Sequence, residues 1–586
     1  MKRFVYVYLL FAFSVQGVNA ESRATVMTNN ALALQPSSDY PSDGVAYWQN
    51  RNQAFEHARK DEWEEAVPLL ESVTSQYEDD GDTWSLLGHG YLQLGRCDKS
   101  IPALERTLAL GTMVTGVPAV SSPANDIMIK IARCQAALGA NDAALAWIEK
   151  ALSYRWDDRR RLIGSEHFPS LADDDAYQIL SGEYQQAGLS REQRWRADLQ
   201  FLLQEIERLH VNPYHNISKQ TLLANAHAIE IELAELTDQQ VVFRMMELLG
   251  ALGNGHNFIV PTNAKQGVFS KLPLQFYWFN DGIYIVNADA PYQALVGRRV
   301  IAVGDQDVFD VLERIGRVNA RDNNMQQRWL APFYLALPEV LVALGIVESA
   351  DEVPLTLSSG ASEGQAITLK GTAFSFSGFP SLPALESKAP SYLANKGRSY
   401  WLERQAERDL LYVQFNSVSQ MPSESLTVFS RRIIDLVNEG QVRYFVLDLR
   451  HNSGGDGSIL PPITQAMLHF AANDPGNRLF VIVGRNTFSA AHLLLADLNR
   501  LTDAIIVGEP SGSRPNHMGE AGWFVLPYSG VWGIISSQYH QASRSEDHRV
   551  WVAPHLPVTL SSAQYFAGRD PAMEQILQLV ASQTTP

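Results

Sequence analysis

Two stretches in the last third of the chain decide its fold: VLDLRHNSGGDG at residues 446–457 and VIVGRNTFSAAHLL at residues 481–494. Each begins with an apolar run of the kind found in strands that are buried on both faces of a parallel sheet. The alternation of strand and helix extends from LLYVQF at 410–415 to AIIVG at 504–508. This rhythm predicts a βαβ core over residues 396–586, with its site at the carboxyl ends of the strands.

The ends of these two strands are followed by residues that can take part in catalysis. Gly454 and Gly455 come after the first strand and can direct backbone N–H groups towards a developing oxyanion. Ser489 lies where the second strand gives way to a helix, and the N–H of Ala490 adds a donor at the helix N-terminus. A serine in this position can also be an ordinary N-cap, so Ser489 taken alone has two interpretations.

Four motifs occur in an order that resembles the tail-specific, or C-terminal processing, peptidases and the related tricorn core proteases. They are GNGH at 253–256, VLDLR-x-N-x-GG at 446–455, GRNTFSAA at 484–491 and VGEPSG at 507–512. The resemblance covers roughly residues 190–586. It implies a serine peptidase whose nucleophile is Ser489.

The base departs from the pattern of the C-terminal processing peptidases, which activate their serine with a lysine. No lysine follows Lys396, and the residue near the expected place is Arg514, which stays protonated and cannot act as a base. The resemblance to the tricorn branch implies a histidine base at His256, and an unperturbed pKa near ~6.5 suits proton transfer at neutral pH. His517, in the segment RPNHMGE, is the rival base.

The tricorn-like scheme also implies a carboxylate late in the chain. Asp547, beside Glu546, lies near the family's acidic position, although the strand that follows it departs from the family pattern. His492, one turn after Ser489, is predicted to lie on the helix surface. The predicted site is therefore Ser489 with His256, and His517 and Asp547 are further candidates.

Residues 40–185 carry a predicted helical repeat with a period of 34 residues. Small residues recur as Ala54 and Ala66, then Gly88 and Ser100 after 34 residues, then Ala132 and Ala144 after a further 44. Such residues let paired helices approach closely, and the period resembles the tetratricopeptide repeat. That resemblance implies either a groove for a protein partner or a packing platform. Cys97 and Cys134 fall in neighbouring helices of the stack, which predicts a disulfide in an oxidising compartment.

The middle of the chain is predicted to hold a helical subdomain over 190–265, ending in the GNGH turn, and a β-rich module over 266–375. Two alternating runs joined by Asn280-Asp281-Gly282 indicate a hairpin. The strand, turn and helix that follow resemble a PDZ module, which binds a peptide as an added strand, although its carboxylate-binding loop is not evident. GASEG at 360–364 matches a nucleophile elbow but joins two alternating runs, so it is predicted to be a hairpin tip.

The composition limits the partners and the location. The 586 residues carry a net charge of −17, which argues against nucleic acid as a partner. The chain has two cysteines and no cluster of ligand residues with the spacing of a metal site, so no metal or cofactor is predicted. Lys2, Arg3 and the apolar run after them predict a signal peptide over residues 1–20, with no membrane span after its removal. We therefore expect export to a bacterial periplasm or exterior.

Together these features predict a multidomain protein. An α-helical repeat array is followed by an α+β and α/β peptidase unit, which consists of the helical subdomain, the PDZ-like module and the βαβ catalytic core. The predicted function is that of an exported serine peptidase acting on a peptide or protein. The alternative is a catalytically inactive peptidase-fold scaffold that binds peptides or proteins through its repeats. An esterase with the same nucleophile is a third interpretation.

Overall fold

The computed structural model describes residues 35–584, apart from 38, 115, 118–119, 121, 163–166, 183–187, 262–268, 360–361, 377–380 and 386–388. The chain divides into two compact units, Met1–Trp156 with Gly164–Leu180, and Asp157–Ile163 with Ser181–Pro586. The predicted signal peptide lies outside the described residues. Within the described residues no helix is both long and apolar enough to cross a membrane.

The first unit is built from the helices α1 (Gly44–Arg59), α2 (Trp63–Gln76), α3 (Gly81–Gln93), α4 (Cys97–Leu110), α5 (Ala124–Ala137), α6 (Asn141–Ser153) and α7 (Asp175–Ser181). From α1 to α6, each helix packs against the next. Ala54, Ala66 and Ala132 have no exposed surface, and the hydroxyl of Ser100 donates a hydrogen bond to the Gly88 carbonyl at 2.7 Å. The small residues of the 34-residue period therefore lie where helices meet.

A disulfide joins Cys97, the first residue of α4, to Cys134 in α5, as the sequence predicts. The two Cα atoms are 4.9 Å apart, and both cysteines are buried. Because the chain has two cysteines, this bond uses both of them.

The second unit begins with helices whose starts are encoded locally. These elements are α8 (Arg191–Leu209), α9 (Lys219–Glu232), α10 (Asp238–Gly250) and the short strand β1 (Phe258–Val260). Capping boxes start α8, from Ser190, and α10, from Thr237, because each hydroxyl accepts a backbone N–H that the helix leaves unpaired. The GNGH turn at 253–256 lies between α10 and β1, directly after this group of helices.

A β-rich module follows, with the elements β2 (Ser270–Lys271), β3 (Leu274–Phe279), β4 (Gly282–Ala288), β5 (Arg299–Val303), β6 (Gln306–Asp307), α11 (Val308–Ile315), α12 (Asn324–Leu335), α13 (Pro338–Ala343), β7 (Val353–Ser359), β8 (Ser362–Leu369) and β9 (Thr372–Ala373). Its main sheet is antiparallel, with the strand order β3-β4-β5-β7-β8. In the antiparallel pair β7 and β8, Ser359 lies opposite Ser362. GASEG therefore connects two strands and not a strand to a helix, although residues 360–361 themselves lie outside the described residues.

The last part of the chain contains β10 (Tyr400–Gln405), β11 (Leu410–Phe415), α14 (Leu426–Asn438), β12 (Tyr444–Asp448), α15 (Pro461–Asn473), β13 (Arg478–Val483), α16 (Ser489–Leu501), β14 (Ile505–Gly508), β15 (Asn516–Val525), β16 (Trp532–Gln541), β17 (Leu556–Pro557), α17 (Ser562–Phe566) and α18 (Pro571–Thr584). Six of these strands form one sheet, in the order β10-β11-β12-β13-β14-β17. From β11 onward the neighbouring strands are parallel, so their carboxyl ends meet at one edge.

Both faces of this sheet are buried, because alternate residues of each strand point to opposite sides. Leu447 and Val481 pack with α14, α15 and α16 on one face, whereas Val446 and Phe480 pack with α18 on the other. Arg450, just after β12, pairs with Asp448 and with Asp570, which precedes α18, at 2.9 Å each. The start of the last helix is thereby tied to the end of β12.

A separate three-stranded sheet, in the order β1-β16-β15, brings together two segments that are far apart in sequence. Phe258 of β1 lies opposite Ile534 of β16, and β16 pairs antiparallel with β15. His256 precedes β1 by two residues and His517 lies on β15, so both histidines belong to segments that pair with β16.

Candidate active site

Ser489 occupies a strained position at the start of α16. The strand β13 ends at Val483, and Ser489 begins the helix with a φ of +50°. This left-handed conformation is uncommon for a residue other than glycine and is often found at functional sites. Phe488 is the N-cap, without a side-chain capping bond, so the Ser489 hydroxyl is not a helix cap. The N-cap interpretation of Ser489 is therefore wrong.

The turn before Ser489 is held by hydrogen bonds at both ends. The Thr487 hydroxyl accepts the N–H of Gly484 at 3.1 Å and donates to the Leu449 carbonyl at 3.0 Å. The N–H of Phe488 donates to the Asn452 carbonyl at 3.2 Å. These bonds join the ends of β12 and β13, so the position of Ser489 is fixed relative to the Gly454–Gly455 turn.

Gly454 and Gly455 have φ values of +105° and +135°, and Gly454 lies directly against Ser489. A Cβ on Gly454 would lie 2.6 Å from the Ser489 Cβ and 2.9 Å from the N of Ala490, so this position has no room for a side chain. The N–H of Gly454 donates to Asn452 Oδ1 at 2.9 Å. Among the described residues, the N–H groups of Gly455 and Ala490 donate to no acceptor. Two of the three expected oxyanion donors are thus free, and the third is held by Asn452.

His256 lies beside the serine, with its Nε2 atom 3.0 Å from Ser489 Oγ. The GNGH turn is fixed from two sides, because the N–H of Gly255 donates to Asp322 Oδ1 at 3.0 Å and Asn254 Oδ1 is 2.8 Å from His210 Nε2. A Cβ at position 255 would lie 2.4 Å from the end of the Gln326 side chain, so that side chain would have to move if Gly255 were replaced. The two groups that the sequence places 233 residues apart are therefore within hydrogen-bonding distance.

The surroundings of His256 favour the neutral ring. Burial lowers its pKa well below 6.5, and the nearby His517 and His540 lower it further, whereas the Met518 backbone acts in the opposite direction. The Nδ1 atom is buried and has no side-chain hydrogen-bond partner among the described residues. A neutral ring with its proton on Nδ1 leaves Nε2 free to accept the proton of the Ser489 hydroxyl.

The rival base, His517, contacts His256 and not the serine. Its ring lies nearly parallel to that of His256, with the ring centroids 5.7 Å apart and an interplanar angle of 10°. Its Nδ1 atom is 3.1 Å from the Arg514 carbonyl. No hydrogen bond between His517 and Ser489 is present in the described part of the chain.

The candidate carboxylate, Asp547, binds a neighbouring arginine and not the base. Its two oxygens are bound by the guanidinium of Arg549 at 2.7 and 2.9 Å, and these bonds keep the pKa of Asp547 well below its usual range. Asp547 makes no hydrogen bond to His256 in the described residues, and the adjacent Glu546 binds Ser545. The expected contact between a late carboxylate and the base is therefore not formed here.

Two further residues, one in a motif and one just after it, have contacts that sequence reasoning missed. Arg485 is buried, pairs with Glu509 at 2.6 Å and donates to the Trp278 carbonyl at 2.7 Å. This ion pair connects the turn before Ser489 to the end of β14. Its two partners lie in the motifs GRNTFSAA and VGEPSG, and the presence of both motifs in the sequence is the signal that could have indicated the pair. His492 is fully buried, with its Nε2 atom 2.9 Å from Ser511 Oγ, so its predicted surface position is wrong.

Comparison with known proteins gives solved structures but no sequence relatives. No family model and no curated protein matches the chain. The structure of mature CPAF complexed with lactacystin is 12% identical, covers 66% of this chain and 98% of its own, and has a TM-score of 0.47. The photosystem II D1 C-terminal processing protease is 13% identical with a TM-score of 0.30, covering 66% of this chain and 99% of its own.

The tricorn protease is also similar, at 13% identity and a TM-score of 0.30, covering 66% of this chain and 37% of its own. C-terminal processing and tricorn proteases are the two groups that the four sequence motifs resemble. The assignment of individual residues depends on the geometry of Ser489 and His256.

Proposed function

We propose that this protein is a serine peptidase in which Ser489 is the nucleophile and His256 is the base. The observation that carries the proposal is the 3.0 Å separation of His256 Nε2 and Ser489 Oγ. The positive φ of Ser489 and the free N–H groups of Gly455 and Ala490 support it, because a nucleophile and an oxyanion hole are then adjacent. The order of the four motifs supports a peptide as the substrate.

In the proposed reaction, Ser489 Oγ attacks the carbonyl carbon of the substrate while His256 Nε2 takes the hydroxyl proton. The N–H groups of Gly455 and Ala490 donate to the oxyanion of the tetrahedral intermediate. The protonated His256 then gives its proton to the leaving amine, which leaves an acyl group on Ser489. Water activated by His256 releases the acid and restores the hydroxyl.

Among the described residues, no lysine is hydrogen-bonded to Ser489. The last lysine, Lys396, donates from Nζ to the Leu382 carbonyl, and burial lowers its pKa to about 8. Arg514, near the place of the family lysine, donates from Nε to the Asp322 carbonyl at 3.0 Å. Within the described residues His256 is therefore the basic group that contacts Ser489.

Labelling with a fluorophosphonate probe tests this function, because the probe reacts with activated serines. We expect the wild-type protein to be labelled, and Ser489→Ala and His256→Gln to lose the label. Ser430→Ala is the matched control, since the Ser430 hydroxyl is buried and donates to the Leu426 carbonyl in α14. Labelling that persists in Ser489→Ala would refute the nucleophile. A wild-type protein that is not labelled would favour the inactive scaffold.

A cavity of about 250 Å³ beside Gly255 supports a peptide with an apolar side chain as the substrate. Its wall is mainly apolar and includes Leu330, Phe333, Trp523 and Trp532. A panel of peptides and matched esters that differ in one side chain tests this point. We expect cleavage of amide bonds with a preference for large apolar side chains, whereas hydrolysis of esters alone would indicate an esterase.

We further propose that the first unit is a tetratricopeptide-like array for a protein partner and that residues 266–375 form a PDZ-like module. The 34-residue spacing of small residues supports the first point, and the antiparallel sheet with the helix α11 supports the second. Export after removal of residues 1–20 is supported by the Cys97–Cys134 disulfide, since such bonds persist in oxidising compartments. N-terminal sequencing of the protein from a periplasmic extract checks export, and a first residue of Glu21 is expected.

A further inference from the structure

A row of aromatic rings passes through the site, with His256 in its middle. The Phe488 ring lies 4.3 Å from the His256 ring at an interplanar angle of 24°, and the His517 ring lies 5.7 Å from it at 10°. Further rings support each neighbour, because Trp329 lies 5.7 Å from Phe488 and His540 lies 5.3 Å from His517. His256 is thus nearly parallel to two rings that are themselves packed against others.

The orientation of His256 needs an explanation, because no side chain binds its Nδ1 atom within the described residues. In serine hydrolases with a Ser-His-Asp triad, a carboxylate bound to Nδ1 holds the ring in place. Here Asp547 is bound by Arg549 instead. Apart from the Met518 backbone, which acts on His256 as a hydrogen-bond partner, the contacts that can fix the ring are those on its faces and edges.

Rotation of the His256 ring about its bond to Cβ would break its parallel arrangement with both Phe488 and His517. Gly519 allows these rings to lie so close together. A Cβ at Gly519 would lie 3.3 Å from Cε1 of His256 and 3.2 Å from Cδ2 of His517, so a larger residue would press on both rings. The packing therefore fixes the plane of the ring, and within this plane Nε2 points at Ser489.

We propose that His517 is a positioning residue, whose ring holds His256 in the orientation that directs Nε2 at Ser489. It takes the place that a carboxylate has in other serine hydrolases, and the proposal rests on the proposed function. His517 is itself fixed by the contact of its Nδ1 with the Arg514 carbonyl and by the ring of His540. Since it does not contact the serine, this role requires an aromatic ring but no proton transfer.

Three substitutions at one position separate these requirements. His517→Phe keeps a flat ring without a titratable nitrogen, His517→Gln keeps a polar side chain without a ring, and His517→Ala removes both. The rate of fluorophosphonate labelling is measured against probe concentration, which separates the limiting rate of reaction from the probe's binding constant. We expect His517→Gln and His517→Ala to lower the limiting rate about 10-fold with unchanged binding, and His517→Phe to recover most of that loss.

Each outcome bears on the proposal. If His517→Phe reacts as slowly as His517→Ala, the imidazole nitrogens are needed and the positioning role is refuted. If His517→Gln reacts like wild type, the ring has no role. Urea denaturation gives the free energy of unfolding of all three variants. If the labelling rates fall in the order of these free energies and not with the loss of the ring, the positioning role is also refuted.

A second measurement does not depend on activity. In the Ser489→Ala protein, the ¹⁵N NMR signals of His256 report whether the ring has one environment. We expect one sharp set of signals in His517→Phe and broadened signals in His517→Gln, whereas equal signals in both would overturn the proposal. Persistent labelling of Ser489→Ala would instead refute the proposed nucleophile, so the two failures are distinguishable.

Discussion

Adding one methyl group at Gly454 tests whether the Gly454–Gly455 turn sets the position of the nucleophile. A Cβ there would lie 2.6 Å from the Ser489 Cβ and 2.9 Å from the N of Ala490. Relief of these contacts requires a movement of roughly 1 Å, and a displacement of that size costs about 100-fold in rate. We therefore expect Gly454→Ala to lower the second-order rate of fluorophosphonate labelling about 100-fold.

The matched control is Gly440→Ala. Gly440 also has a positive φ, of +70°, but a Cβ there would meet nothing within 4 Å. The left-handed backbone costs a non-glycine residue about 1–2 kcal/mol, so urea denaturation is expected to show that loss of stability in Gly440→Ala and at least as much in Gly454→Ala. Labelling of Gly440→Ala is expected to match wild type. A folded Gly454→Ala protein that is labelled at the wild-type rate would show that the turn does not constrain Ser489.

Three further predictions follow from contacts in the two units. Labelling of Ser489 is expected to stay constant from about pH 8 down through pH 6.5 and to fall only in more acid solution, because a lowered pKa keeps His256 neutral; half-loss at or above pH 6.5 would contradict this. Glu509→Gln leaves Arg485 buried without its carboxylate and is expected to cost about 3–5 kcal/mol in urea denaturation, and a change below about 1 kcal/mol would argue against a buried ion pair. Replacing both cysteines by alanine opens a link across 37 residues and is expected to cost about 4 kcal/mol, which an unchanged unfolding midpoint of the first unit would disprove.

The parallel core could be predicted from the sequence because both faces of its strands are apolar. The runs around 446 and 481 leave little choice but buried strands, and their ends then have to meet at one edge of the sheet. The disulfide was also predictable, since the repeat period places Cys97 and Cys134 in neighbouring helices. Both predictions follow from patterns that repeat along the chain.

Details of the site could not be predicted, because they depend on which neighbour takes each polar group. Nothing in the motif shows that the N–H of Gly454 is taken by Asn452, two residues earlier. Asp547 is likewise bound by Arg549, two residues later, and therefore does not reach the base. His492 was expected on the surface because helix position alone does not show that Ser511 covers it.

The pairing of Arg450 with Asp570 has a consequence for how the protein is made. Arg450 lies four residues before Gly454, and Asp570 follows it 120 residues later. Ribosomes add residues from the N-terminus, and domains acquire their packing as the chain emerges. The Arg450 guanidinium therefore stays without this partner until 120 further residues have been translated. A nascent chain of this protein thus reaches its finished site only after the segment that precedes α18 has been made.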